Sequence, residues 1–570
     1  MRADAITMQV IRYALERIAD EMGYTIVRSA RSTIIKEVMD ISCAIFNEKG
    51  YTIAQAHHAP MLLAGFEITM RELVKRFPPD SLEDGDIIIS NDPYMGGQHV
   101  MDVQTFAPVF YEGELVGFVG SIAHMTDMGG AVPGGVAGGM TDIFMEGLRL
   151  PMIKLYKGYK ENEDVFAILK NNIRVPEKTL GDIRALVSAD YVGIKKVREL
   201  YKKYGVEVVS ECLNALLDYS ERRIREGIEK LPDGKYSGEV YIDNDGVTDD
   251  PVKIRVNVRI KGDEIKVDFN GTSKQVRGNI NCPIATTYAA VYYTIIAVVD
   301  PHVPINSGCY RPITIEAEEG LIVNPRPPAA VAARTNCSQK ITEAMLKALS
   351  EAAPDRVMAG SHAQITTCSF SGYQNGKRWI YIEIMGGGMG ARPFKDGKDG
   401  QDSHLARFMN TPIEAIEIEY PVMIERYEFI PDSGGAGKYR GALGLRRDIR
   451  FLTDEVVFAR YGDSQKFPPH GLFGGKPGMP GRFILNPDKD NIRLKSKGID
   501  VLKKGDVVSL QLPGGGGYGN PLERDFSLIE KDVRDGKVTI EKAKEDYKVV
   551  IDPKTLKVDV EATKKLRGEI

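Results

Sequence analysis

Between Asn91 and Gly130 (NDPYMGGQHVMDVQTFAPVFYEGELVGFVGSIAHMTDMGG) stand His99, Asp102, His124 and Asp127, with glycines around them. The chain has only eight His in 570 residues, so two of them beside paired Asp in one short stretch ask for a chemical reason. Imidazole nitrogens and carboxylates together are the ligand set of a divalent metal such as zinc or manganese. His99 and Asp102 are three apart. They would face opposite sides of a strand, so they converge only on a turn or loop. His124 then arrives from a strand end 22 residues later. Three protein ligands leave a position open for water or substrate, as a catalytic metal requires. The chemistry would be water activation or carbonyl polarisation. Asp92 and Asp127 are the catalytic candidates, as support for a ligating His or as general base. Each also reads as a turn residue, Asp92 with Pro93 and Asp127 capping Met128-Gly129-Gly130.

Several elements must bring these residues together. Ile6, Val10, Ile11, Ala14, Leu15, Ile18 and Met22 lie at helical spacing over residues 4–22. A β-hairpin follows, with Ile41, Cys43 and Ile45 alternating, Gly50 at the turn and Asp40 at the entry of its first strand. Residues 86–90 and 115–123 read as strands that end at Asp92 and His124. Strand ends feeding glycine-rich loops often carry function. Residues 180–230 read as two helices parted by Gly205, with Thr179 and Asp182 at capping-box spacing. From about residue 236 the period changes to two, and Gly262-Asp263 offers a hairpin turn. Helices are predicted at 285–299 and at 339–352, the second capped by Ser338 and stopped before Pro354. Residues 464–481 read as a loop and Val507–Leu512 as a strand. The last 45 residues return to helix. The fold class is α+β, multidomain, with mixed helices, largely antiparallel sheets and glycine-rich loops. The predicted domains are an α+β metal-binding domain (1–232), a central α+β domain (233–430), a β-rich domain with glycine-rich loops (431–525) and a helical tail (526–570).

Composition narrows the classes. Hydrophobic residues make up 43% and charged residues 27%, ordinary for a globular protein. A net charge of −4 gives no electrostatic case for nucleic acid or an anionic membrane. The most apolar stretch, residues 285–299, is shorter than the roughly 20 residues of a membrane span. The N-terminus has no signal-peptide pattern, so a soluble cytoplasmic protein is expected. The six Cys form no CxxC pair and read as buried reduced thiols. MGGGMG (385–390) and GGGGYG (514–519) lack the order of a phosphate-binding loop. They read as tight turns and close chain-to-chain approach. No GxSxG elbow appears, and Cys337 in RTNCS has no nameable partner base. His57, His58, His302, His362, His404 and His470, taken singly, read as structural.

Longer blocks carry a resemblance. They are RSARSTIIKEVMDISCAIFNEKG (28–50), SNDPYMGGQHVMDV (90–103), HMTDMGG (124–130), DFNGTSKQVRGNINCP (268–283), DSGGAGKYRG (432–441) and PGGGGYGNP (513–521). In this order, over residues 5–568, the chain resembles hydantoinase B, the B-type subunit of ATP-dependent hydantoinases, 5-oxoprolinases and related lactamases. Acetone carboxylases have a similar subunit. The resemblance implies one divalent metal, zinc or manganese, at the matching positions Asp40, His99, Asp102 and His124, and so adds Asp40. It also implies a hetero-oligomer with an A-type subunit that binds ATP and phosphorylates the substrate oxygen. This chain would then hydrolyse the activated small cyclic amide. The alternatives are a subunit of an acetone-carboxylase-like carboxylase and a non-catalytic scaffold for the A-type subunit.

Overall fold

The computed structural model describes residues 4–402 and 404–568. Helix α1 (Ala5–Ser29) starts where the Asp4 carboxylate accepts from the Ile6 and Thr7 amides. It runs past residue 22 because Ile26 continues the buried stripe of Ile11, Leu15, Ile18 and Met22. A single turn, α2 (Thr33–Lys36), leads into the hairpin of β1 (Ile41–Phe46) and β2 (Thr52–Gln55), as the alternation predicts. After α3 (Pro60–Arg76) come β3 (Ile87–Ser90), β4 (Asp102–Tyr111), β5 (Glu114–His124), β6 (Ile153–Lys157) and β7 (Lys160–Glu161). Together these strands form one sheet in the order β2-β1-β5-β4-β3-β6-β7.

The sequence reading lacks β4. The strand is buried on both faces, so it shows no alternation to read. Helices α4 (Glu163–Asn172), α5 (Pro176–Tyr204) and α6 (Val206–Ile228) complete this part. Val119 of β5 meets α5 at Gly193, whereas its neighbour Gly120 meets Phe66 of α3, so both sheet faces are covered. Gly205, at φ +81°, ends α5 as expected. The capping box at Thr179–Asp182 is not observed. Pro176 opens the helix one turn earlier. Both residues lie buried inside it, Thr179 donating to the Asp127 carbonyl (3.2 Å) and Asp182 accepting from the Arg31 and Ser32 amides (2.6 and 3.2 Å).

A second sheet, in the order β11-β10-β9-β8, combines β8 (Gly234–Ile242), β9 (Val252–Lys261), β10 (Glu264–Asp268) and, beyond α7 (Ile284–Val299), β11 (Ile313–Glu316). Gly262, at φ +59°, turns β9 into β10 as its position predicts. Helix α8 (Arg334–Leu349) packs on β8 so closely that a Cβ on Gly238 would stand 2.0 Å from the Ala344 carbonyl oxygen. It starts at Arg334, four residues ahead of the predicted cap. Ser338 lies inside it and donates to the Thr335 carbonyl instead (3.1 Å).

Two further sheets follow. One runs β13-β12-β16-β19, from β12 (Thr366–Gln374) and β13 (Lys377–Met385). Past α9 (Ile413–Glu419), the other begins with β14 (Val422–Phe429) and β15 (Leu445–Phe451). The first is completed by β16 (Val456–Tyr461) and β19 (Lys497–Leu502). The second takes β17 (Arg482–Leu485), β18 (Ile492–Leu494) and β20 (Val507–Gln511), in the order β14-β15-β20-β17-β18. Strand pairing crosses the predicted boundary at residue 430. β14 and β15 pair across it, and β12 pairs with β16 across it, because antiparallel partners here are far apart in sequence. In the tail, α10 (Phe526–Arg534), α11 (Ile540–Tyr547) and α12 (Val560–Arg567) follow. Ile529, Val538, Ala543, Tyr547, Val549 and Ile551 form a small core there, with Ala436.

The glycine runs lie backbone against backbone. Gly516 donates to the Gly360 carbonyl (2.7 Å) and accepts from the Ala391 amide (2.9 Å), while Gly515 donates to Ala442 and accepts from Gly435 (both 2.8 Å). A Cβ on Gly516 would stand 1.9 Å from the His470 carbonyl oxygen, and one on Gly515 2.1 Å from that of Met389. No helix among the described residues is long and apolar enough to cross a membrane.

Candidate metal centre

Strand register builds the centre. Asp102, first residue of β4, is the cross-strand partner of His124, last residue of β5, so their side chains share a face. On the other side of β5, Ile41 pairs with Ala123, and the His124 amide donates to the Asp40 carbonyl (3.1 Å). Asp40, His124 and Asp102 thus form a row across three adjacent strand ends. His99 joins them from the loop before β4, where the Asp102 amide closes a turn onto the His99 carbonyl (3.0 Å). This is the turn their spacing demands.

The donors converge. His99, Asp102 and His124 offer ligand atoms all within 4.8 Å of one another, and all three residues are buried. His99 Nε2 is 3.0 Å from Asp102 Oδ1, and His124 Nδ1 is 3.3 Å from the same oxygen and 3.8 Å from Asp40 Oδ2. Both ring nitrogens of His99, His124 Nε2 and Asp40 Oδ1 are buried without a hydrogen-bond partner. Orphaned buried polar atoms are costly and need an explanation; lone pairs facing a shared cation would supply one. Burial, with the Arg334 guanidinium adding to it, pushes His99 down to about 3. Its imidazole is therefore neutral, the form that ligates metal. Burial raises Asp40 to about 7, with His124 and Arg334 opposing and Asp102 reinforcing. For Asp102, burial would raise the carboxyl, but His99, Arg334 and His124 outweigh it and hold it well below the ordinary range. The residues present fit a divalent cation with mixed nitrogen and oxygen ligands. Among the described residues no other such group occurs.

Three residues that sequence reasoning missed complete the surroundings. Arg334, fully buried at the start of α8, pairs with Asp102 Oδ2 and donates to Gln98 Oε1 (3.2 Å). Gln98 in turn donates to the Met61 carbonyl (2.5 Å). Asn336 lines the same cavity as Asp40, His99 and His124. The cavity is walled by Met61, Val136, Ile365, Ile384, Phe408 and Tyr461 and holds ≈ 30 Å³. Nothing in the spacing of RTNCS marks Arg334 or Asn336. Only α8 itself shows the signal, a helix buried almost throughout that still carries Arg, Asn, Gln, Lys and Glu.

Asp92 and Asp127 do not join the centre, and neither lines its cavity. Asp127 is fully engaged, accepting from the Gly129 amide (3.0 Å), the Arg174 amide (2.8 Å) and the Arg174 guanidinium (2.9 Å). Asp92 accepts from the Tyr94 amide (3.0 Å) and lies 3.6 Å from Arg149. Both make the backbone contacts of a turn residue. Cys337 is buried, and burial with Cys282 nearby pushes its thiol well above the usual range, away from the reactive thiolate. All six cysteines are free and buried. His404 is held at 2.9 Å by Glu343, as the structural reading expects.

Comparison with known proteins matches this architecture. The Hydantoinase B/oxoprolinase family profile matches residues 4–521. An uncharacterised protein of Methanocaldococcus jannaschii is 39% identical, covering 99% of this chain and 100% of its own. The caprolactamase subunit beta of Pseudomonas jessenii is 33% identical over 96% of both chains. The crystal structure of the ATP-dependent caprolactamase from that organism superimposes with a TM-score of 0.91 at 31% identity, covering 99% of each chain. The nucleotide-free structure of acetone carboxylase also gives a TM-score of 0.91, over 99% of this chain and 83% of its own, but at 19% identity it speaks for the fold alone. With a profile match along nearly its whole length and relatives this similar, the chain belongs to the Hydantoinase B/oxoprolinase family.

Proposed function

We propose that this chain is the metal-dependent B-type subunit of a two-component ATP-dependent cyclic-amide hydrolase, acting on a substrate phosphorylated by an A-type partner. The observation that carries the reading is the row of Asp40, His124 and Asp102 joined by His99, with the unpaired ligand atoms of Asp40, His99 and His124 in residues that line one cavity. The similarity to a caprolactamase subunit beta supports the substrate class and the partner.

An amide carbonyl resists water. Phosphorylation of its oxygen gives an imidate with a good leaving group, and a bound divalent cation supplies the Lewis acidity that lowers the pKa of water toward ~7. The chain's own residues do the rest. Asp40, His99, Asp102 and His124 would hold the cation. Arg334 fixes the orientation of Asp102 and offsets its charge. Met61, Val136, Ile365, Ile384 and Phe408 exclude bulk water, so electrostatic contacts inside act at low dielectric. A cavity of ≈ 30 Å³ is about the share of one liquid water. Admitting a small ring would therefore require residues of the wall to move aside.

The test is co-expression with the A-type partner. ATP consumption and ring opening are measured on δ-valerolactam, ε-caprolactam, hydantoin, 5-oxoproline and acetone, with and without bicarbonate. The expected result is bicarbonate-independent opening of a cyclic amide that chelation abolishes and metal restores. His99→Ala should lose both metal and turnover with the fold intact. Full turnover by a metal-free preparation would refute the mechanism, and bicarbonate-dependent consumption of acetone would move the chain to the carboxylase class.

A further inference from the structure

Asn336 is a carboxamide in the cavity wall whose chemistry the metal reading does not use. It stands in the first turn of α8, is 1% exposed, and lines the cavity beside Asp40, His99 and His124. Neither Nδ2 nor Oδ1 has a hydrogen-bond partner. A carboxamide offers two donors and two acceptor lone pairs. Burying all of that unmet is a cost that an apolar residue of similar volume would avoid. The neighbouring polar groups do not relieve it: Arg334 is turned to Asp102 and Gln98, and Gln98 is tied to the Met61 carbonyl.

We infer that Asn336 recognises the ring nitrogen of the activated cyclic amide, an inference that rests on the cyclic-amide reading above. Once the partner has phosphorylated the oxygen, the ring nitrogen has lost its proton and keeps an in-plane lone pair. The Asn336 Nδ2–H donates to that nitrogen. An N-methylated ring phosphorylated on oxygen has no such lone pair and leaves Nδ2–H buried and unpaired. Sites built to hydrogen-bond a substrate group reject analogues that lack it far more strongly than apolar pockets do. Asn336 is thus a specificity residue for the substrate class.

The test uses the metal-loaded complex with the A-type partner, on the cyclic amide turned over fastest in the panel above and on its N-methyl derivative. Asn336→Leu removes both hydrogen-bonding groups at similar volume, and Asn336→Ser is the fallback if leucine impairs folding. The expected result is unchanged metal content, a melting temperature equal to or above the parent's, and kcat/KM on the ring amide at least ten-fold lower. Discrimination between the ring amide and its N-methyl derivative should shrink by at least ten-fold. A structural Asn would instead lower the melting temperature and leave the discrimination alone. Retained kcat/KM and discrimination in a variant that keeps its metal would overturn the inference while leaving the hydrolase reading intact. No turnover of any cyclic amide by the parent complex would sink both.

Discussion

Replacing Arg334 with Met separates two roles that one guanidinium plays at the centre. Arg334 and Asp102 are a buried pair, with side chains 2% and 1% exposed. Removing one partner of such a pair typically costs about 3–5 kcal/mol, because the other charge is left buried and uncompensated. In metal-free Arg334→Met that penalty should appear in full, since Asp40 and Asp102 then face each other without the guanidinium. In metal-loaded protein the cation takes over the compensation, and the loss should be clearly smaller. The thermodynamic cycle makes the two statements one: whatever stability the cation restores is gained as metal affinity, ten-fold for each 1.4 kcal/mol. Losing a positive side chain should therefore tighten metal binding. The assay is urea unfolding of parent and variant, each stripped and metal-loaded, with cation affinity from competition against a chelator. Equal destabilisation in both forms together with weaker metal binding would refute the charge argument. Arg334 would then serve mainly to aim Asp102.

Other outcomes follow from the same geometry. Asp127→Asn should keep the metal and turnover within a few-fold but lose roughly 1–3 kcal/mol of stability, as one side of its contact with Arg174 is withdrawn; lost turnover with metal and fold retained would restore Asp127 as general base. Burial raises Glu146, whose carboxylate accepts from the Val331 and Ala332 amides ahead of α8, from 4.5 to about 8. The folded protein thus holds that proton more tightly than the unfolded chain, and the stability it contributes is full below pH 4.5 and lost as the pH climbs through 8. Glu146→Gln should remove a slope of about 1.4 kcal/mol per pH unit inside that window, read from urea midpoints; parallel pH profiles for the two proteins would count against it. Gly516→Ala should cost about 3 kcal/mol or more, beyond ordinary overpacking, because its Cβ meets a backbone oxygen that cannot rotate away; near-parental stability would mean the loops yield.

What the sequence disclosed depended on whether a local rule was in charge. The β1–β2 hairpin, the turn at Gly262 and the end of α5 at Gly205 follow from alternation and from glycine, and each was readable. The start of α8 was not. Ser338 has the right type for a cap, but the helix is fixed by tertiary burial and begins at Arg334, with no capping side chain at Ala333. Thr179 and Asp182 look like a capping box and instead tie α5 to Asp127 and to the Arg31–Ser32 backbone. At the centre, the turn geometry of His99 and Asp102 was legible from their spacing. Asp40 was reachable only by family resemblance, because what brings it to His124 is the register of β1 on β5. Arg334 and Asn336 come from a distant helix, and no pattern within the first 130 residues points to them.

The glycine layer around residues 514–519 sets a different kind of limit. An apolar core can absorb an added methyl if a neighbour shrinks, since side chains trade volume with one another. Where only peptide groups touch, there is nothing to trade. A bulky replacement at Gly514, Gly515 or Gly516 meets the carbonyl oxygen of another chain segment at about 2 Å, and no second substitution can trim a carbonyl. Suppressor selection should therefore rescue damaged positions on α8 or α1 readily, and fail in this layer except by reversion.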